Sequence, residues 1–402
     1  MKEITKTTRD TSSVFWMPSA APAAAPAKAR RGRQSLPKGL ISPSEIIRRL
    51  SETVIGQDDV KTRLASAVHQ QDLVRFHNTE RKDEPGFRPI SRGNNILLYG
   101  PSGSGKTSIV KKLAEILERP VVLFDATTLS PAGYTGNSVS DIIMELVAKA
   151  RGDLRLAESG IIFIDEFDKQ FIGANMNQDV SSFKGSASFE LLRLLDGCEL
   201  LFGSENGVES LYTGNILFIL GGAFPNLDTI IRNRVTTGSM ATPIGFMARQ
   251  DEPDTVPSLA IDSELPGAVP ADLMAYGIPR EIIGRISAIC RMNALGAGDM
   301  VRILCESDQS PLAYYRQLFA MHKVDLDITD EALETIARRA VDLGLGARGL
   351  SSVMDEILSP ALVKVADNRE QVVLKLAPEC FTEGKPPEIV KKRRARKKAA
   401  TA

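Results

Sequence analysis

The chain has 402 residues, 43% hydrophobic and 25% charged, with 50 basic and 50 acidic side chains and a formal net charge of zero. These ordinary globular values predict two or three domains with sizeable cores and exclude a collagen-like or compositionally disordered chain. Four scattered cysteines without a C-x-x-C pair, and no apolar run near the about 18 residues of a bilayer span, exclude a disulfide scaffold, a cysteine zinc site and a membrane helix. A cytoplasmic protein with no membrane partner is the expectation.

Residues 1–41 contain the Ala/Pro run 20–26 and the basic run 28–33 without apolar periodicity, so a disordered, mildly basic arm is expected. The apolar Val14-Phe15-Trp16-Met17 is too short for a signal-peptide core. Order begins at Ser42-Pro43-Ser44-Glu45, which reads as an N-cap, a first-turn proline and a capping-box glutamate. A helix over 43–50, the segment Val54-Ile55-Gly56-Gln57 and a longer amphipathic helix to about residue 76 follow, then a charged loop over 78–94.

Strands and helices then alternate: strands at 95–99, 121–125, 161–165 and 215–220, helices at 106–117, 138–150 and 188–195. The strands are continuous apolar runs, as in a parallel sheet covered by helices on both faces. Residues 236–270 read as a long loop, and a strand over 286–292 completes a large domain spanning 42–294. Helices at 299–304, 311–322, 330–343 and 349–365 with strands at 324–328 and 371–376 predict a small α+β domain over 295–382. Residues 383–402 end in seven Lys/Arg within ten positions and read as a disordered basic tail, with contact to nucleic acid or an acidic partner left open.

Chemistry is concentrated at Gly100-Pro101-Ser102-Gly103-Ser104-Gly105-Lys106-Thr107, a G-x-x-x-x-G-K-[ST] sequence between a strand and a helix. The glycines let backbone N–H groups turn inward onto phosphate oxygens, and the helix start adds its positive dipole end. Lys106 can reach the β- and γ-phosphates, and Thr107 can offer its hydroxyl to Mg²⁺. The chain is therefore expected to bind a nucleoside triphosphate, with ATP and Mg²⁺ as cofactors. Downstream, Ile161-Ile162-Phe163-Ile164-Asp165-Glu166 ends a buried strand in two carboxylates, an arrangement that packing alone disfavours. Asp165 suits Mg²⁺ ligation, and Glu166 can serve as general base toward an attacking water.

Together these stretches resemble the Walker A and Walker B elements of an AAA+ P-loop ATPase, and in detail the ClpX family of protein unfoldases. Val54-Ile55-Gly56-Gln57 is similar to that family's adenine-side box, which places Ile55 near the base. Phe124 to Leu129 followed by Gly133-Tyr134-Thr135-Gly136 resembles its axial pore loop. Glu281-Ile282-Ile283-Gly284-Arg285 is similar to its arginine-finger segment, and Gly346-Ala347-Arg348-Gly349-Leu350 to its sensor-2 segment. The resemblance runs from about residue 42 to 380. It implies an ATPase without intrinsic peptidase activity, working as a homo-hexamer that threads unfolded or tagged proteins through a central pore.

On this resemblance Tyr134 and Thr135 grip substrate, although an aromatic between glycines is also a plain hairpin tip. Arg285, otherwise an ordinary surface arginine, reaches a neighbour's γ-phosphate, and Arg348 contacts nucleotide from the small domain. Ile244-Gly245-Phe246, an apolar tripeptide in the long loop, resembles the family's docking plug for the ClpP peptidase. The pattern departs from the family in three places: the arm carries no paired cysteines for the N-terminal zinc-binding domain, the basic loop expected before Asn215 is replaced by the acidic 203–209, and 173–186 diverges where a second pore loop belongs. A changed substrate choice is expected. His69, His77 and His322 share no ligand spacing and read as surface residues. Two other readings are a nucleic-acid-remodelling ATPase, prompted by the basic tail, and a protein-remodelling chaperone that needs no peptidase.

Overall fold

The computed structural model describes residues 40–391, apart from 82–83, 87–89, 91–93, 130–138, 172–185, 205–206, 240–264, 308–309 and 367–370. The chain opens with α1 (Pro43–Ser51), α2 (Asp58–Glu80), β1 (Asn95–Tyr99), α3 (Lys106–Leu117) and β2 (Val121–Asp125). It continues through α4 (Val139–Lys149), α5 (Leu154–Glu158), β3 (Ile161–Asp165), α6 (Ser186–Asp196), and the hairpin β4 (Glu199–Ser204) and β5 (Gly207–Tyr212). Then come β6 (Leu217–Gly222), α7 (Leu227–Ser239), α8 (Pro270–Tyr276), α9 (Arg280–Ile283) and β7 (Ile286–Arg291). A C-terminal group comprises α10 (Ala297–Glu306), α11 (Pro311–Met321), β8 (Val324–Ile328), α12 (Asp330–Asp342), α13 (Ala347–Val365), β9 (Val372–Leu376), α14 (Pro378–Thr382) and β10 (Glu388–Lys391).

Five strands form one parallel sheet in the order β2-β3-β6-β1-β7. Strand alternation explains why these strands read as unbroken apolar runs. Leu97, Tyr99, Ile162, Ile164, Phe218 and Leu220 face a core shared with α4 to α9. Their neighbours Ile96, Leu98, Ile161, Phe163, Leu217 and Ile219 face a second core under α1, α2 and α3. Both faces of the central strands β1, β3 and β6 are therefore apolar because both are covered. The C-terminal small domain has its own core of α10 to α13 with β8 and β9, and a mixed sheet in the order β10-β9-β8. β8 runs parallel to β9, and β10 antiparallel.

Several expectations are corrected. Of residues 203–209, expected as a short acidic loop, 203–204 and 207–209 belong to the antiparallel strands β4 and β5, with Gly203 opposite Val208. The inner face of this pair packs Leu200, Phe202 and Leu211 on the core, which is what orders it. Within the segment expected as a tail, 388–391 forms β10, held by pairing with β9. The strand expected to start at Asn215 starts at Leu217, because Thr213–Asn215 makes a 3-10 turn. The loop expected over 236–270 is shortened by α7, which runs to Ser239. Ser42 does cap α1, accepting from the Glu45 N–H at 3.3 Å, but the Glu45 carboxylate pairs with Arg48 and Arg49, not with the cap. His69 is half-buried, not on the surface, and its Nδ1 has no partner among the described residues.

Candidate active site

The sheet delivers its chemistry to the C-terminal ends of β1, β3 and β6. From β1 the chain enters the phosphate loop, where Gly100 has φ 151° and Gly103 has φ 72°. A Cβ on Gly100 would collide with the Met292 carbonyl oxygen, and one on Gly103 with that of Leu345. Only glycine fits either place. α3 then starts at Lys106, so the loop ends on a helix N-terminus, where N–H groups and the dipole favour anions.

Lys106 is 8% exposed, and its ammonium group donates to the Gly100 carbonyl at 2.8 Å and the Pro101 carbonyl at 2.9 Å. Burial pushes its pKa down, and Asp165 and Asp168 oppose that shift. Ser104 Oγ is buried within the loop and has no hydrogen-bond partner among the described residues. An orphaned hydroxyl among inward-turned glycines fits a phosphate oxygen as its partner. Thr107 Oγ1 donates to Asp165 Oδ2 at 3.0 Å, which joins the loop to the end of β3. Two oxygen ligands side by side match Mg²⁺, which takes few protein ligands and completes its shell with waters and phosphate oxygens. Glu166 is exposed and held at φ 53°, its N–H donating to Asp165 Oδ1 at 2.9 Å.

The small domain closes over the loop. The Ala347 N–H donates to the Gly103 carbonyl at 3.1 Å, and Arg348 Nη1 donates to Ser102 Oγ at 3.4 Å. Ile55 is 5% exposed, and beyond it Gln57 adopts φ 61° and bonds the Asn293 backbone twice, each at 2.9 Å. A cavity of about 1240 Å³ opens beside the loop, walled in part by Gly56, Gln57, Gly100, Pro101, Phe224 and Leu295.

The structure thus gathers Lys106, Thr107, Asp165, Glu166 and Arg348 around one loop. Arg285 is elsewhere. Its carbonyl accepts from Asn95 Nδ2 at 3.0 Å, at the first residue of β1, while the phosphate loop leaves from the last. Its guanidinium donates to the Glu281 carbonyl and pairs with Asp196 at 2.5 Å. One strand of five residues, roughly 16 Å, separates this arginine from the loop of its own chain. Tyr134, Thr135, Ile244, Gly245 and Phe246 lie outside the described residues. Sequence reasoning missed the Gln57–Asn293 clamp and Asp168. The former is a contact 236 residues apart, which no local pattern could announce. No cluster of three or more His, Cys, Asp or Glu that could hold a metal ion occurs among the described residues, and no helix among them is long and apolar enough to cross a membrane.

Comparison with known proteins agrees with this geometry. Residues 91–289 match the AAA domain (Cdc48 subfamily), and residues 299–370 match the C-terminal, D2-small domain, of ClpB protein. The chain is 37% identical over 344 residues to the ATP-dependent Clp protease ATP-binding subunit ClpX of Azotobacter vinelandii, covering 83% of this chain and 76% of that protein. It is 34% identical over 331 residues to the ClpX subunit of Treponema denticola, with 80% and 76% covered. The ClpX subunit of Borrelia duttonii is 34% identical over 344 residues, with 83% and 77% covered.

Proposed function

This chain belongs to the ClpX family of AAA+ ATPases, and from that premise we propose that it is an ATP-driven protein unfoldase and translocase that passes substrates to a ClpP-type peptidase. The observation that carries the reading is the convergence on one loop of Lys106, the Thr107–Asp165 pair, Glu166 and, from the small domain, Arg348.

The nucleotide lies with its phosphates on 100–107 and its base toward Ile55 and the cavity at Gly56 and Leu295. Lys106 exchanges the Gly100 and Pro101 carbonyls for phosphate oxygens, a charge-assisted replacement for two neutral acceptors. Thr107 and Asp165 would hold Mg²⁺, which would supply neutralisation of phosphate charge. Glu166, exposed at the strand end and without a side-chain partner among the described residues, takes the proton of the attacking water. Arg348 reads the bound state from the small domain, so that hydrolysis changes the hold of residues 295–382 on residues 42–294, the two domains we assign. The arginine finger acts between copies. Arg285 sits at the opposite end of β1 from its own phosphate loop, a position that supports a role at a neighbour's site and hence a ring, for which we propose six copies.

Tyr134 and Thr135 grip the polypeptide in the pore, and Ile244-Gly245-Phe246 seats the ring on the peptidase. The test is degradation of a stably folded fluorescent reporter carrying an unstructured tail. Fluorescence should fall only with ATP, this protein and ClpP together. Deleting 244–246 should leave ATP hydrolysis unchanged and stop degradation. Degradation at full rate by the deletion variant would remove the docking role, and no degradation by the intact protein would remove the peptidase partner.

A further inference from the structure

Asp168 takes no part in the chemistry assigned above, yet it is a carboxylate with 0% exposure. It lies on the 3-10 turn Phe167–Phe171 immediately after Glu166. Burying a carboxylate is costly unless hydrogen bonds answer its charge. Here two backbone donors do so: Ala223 N–H to Oδ1 at 3.2 Å and Phe224 N–H to Oδ2 at 3.3 Å. Both belong to the turn that ends β6.

That turn is tightly constrained from three sides. The Gly222 carbonyl accepts from the N–H of Gly100, the first residue of the phosphate loop, at 3.3 Å. A Cβ on Gly222 would stand 2.5 Å from Asp168 Oδ1 and 2.6 Å from the Phe224 ring. Phe224 is held at φ 50°, a strained conformation for a bulky residue, while its ring rests on Tyr276 with centroids 5.2 Å apart. A strained turn persists only where its surroundings over-determine it, and the Asp168 carboxylate supplies two of its restraints.

We infer that Asp168 is a positioning residue for ATP hydrolysis, which locks the β6 turn to the end of β3 and so fixes Glu166 relative to the phosphate loop. The inference rests on Glu166 being the general base. Nucleotide binding uses the loop, Lys106 and Arg348, none of which Asp168 holds by a hydrogen bond. The brace reaches the loop only through the Gly222–Gly100 bond and Lys106 only through the field of the carboxylate, so loosening it acts more on the step that needs Glu166 in place than on binding.

The test measures kcat, KM, nucleotide Kd and Tm for the wild type, Asp168→Asn, Gly222→Ala and Glu166→Gln. Asp168→Asn keeps the shape but sets an amide against one N–H, and Gly222→Ala pushes the carboxylate aside without removing it. Each should lower kcat by roughly 10- to 100-fold, the scale of a misplacement near 1 Å, with KM and Kd unchanged within about threefold. Wild-type kcat in Asp168→Asn while Glu166→Gln is inactive overturns the positioning role alone. So does a rise in KM and Kd that tracks the fall in Tm, which marks a structural carboxylate only. Wild-type kcat in Glu166→Gln overturns the assignment of the base and the inference with it.

Discussion

At the scale of single residues, one active site is proposed to be shared between two copies of the chain. Glu166 belongs to the copy that holds the nucleotide, and Arg285 is proposed to come from the next. This division predicts complementation. Glu166→Gln and Arg285→Ala should each bind ATP, with hydrolysis lowered by about 10²–10⁴ for a lost base and about 10³–10⁵ for a lost finger. Mixed together, they should recover part of the wild-type rate, because some interfaces then hold an intact Glu166 facing an intact Arg285. Phosphate release against mixing ratio measures this, and a flat response would contradict the shared site. The residues of the phosphate loop and the acidic strand end were legible because their chemistry is local: eight consecutive positions in one case, six in the other. Asp168 was not, since a charged residue shortly after Asp165-Glu166 reads as solvated until the β6 turn is laid over it. The fixed place of Arg285 at the start of β1 also depends on a partner, Asn95, 190 residues away.

At the scale of elements, local signals and burial pattern set what could be read. β1, β2, β3, β8 and α3 begin and end where the sequence predicts, because an apolar run, an alternation in β8 or a helical spacing in α3 is cut off on either side by glycine, proline, polar or charged residues. The β4–β5 hairpin was missed although Asn206-Gly207 is a turn dipeptide between two strand-like runs, since the acidic neighbours suggested a loop. β10 has only two apolar residues, Ile389 and Val390, between charges, and gains strand structure by pairing with β9. For α1, the Arg48 and Arg49 guanidinium groups beside Glu45 hold its carboxyl well below its usual range, at about 2. A depressed carboxylate contributes stability that is full above its unfolded value, 4.5, and fades as pH falls toward about 2. Because both arginines are exposed and Glu45 is partly so, the contribution is small and screened by salt. The Tm gap between wild type and Glu45→Gln should therefore narrow between pH 4.5 and 2. A gap that widens with acid would reverse the assignment.

At the scale of the molecule, the doubly covered parallel sheet holds the phosphate loop rigid, and the small domain touches that loop directly. Gly103 and Gly346 approach so closely that neither admits a side chain, and the Ala347 N–H bonds the Gly103 carbonyl. We propose that a change at the phosphates is felt first at this joint, where hydrolysis would be converted into motion. Composition and alternation made the two-domain plan legible, whereas this joint came from loops that carry no periodic signal. The central claim is that the motion pulls on polypeptide through Tyr134. It is tested by following ATP-driven unfolding of a stable fluorescent reporter, without peptidase and with a trap for the unfolded chain, alongside phosphate release. Wild-type protein should unfold the reporter, and Tyr134→Ala should hydrolyse ATP at the wild-type rate while unfolding it at least about tenfold more slowly, as expected when an apolar grip is removed. Hydrolysis by the wild type with no unfolding, or unfolding by Tyr134→Ala at the wild-type rate, would contradict the account.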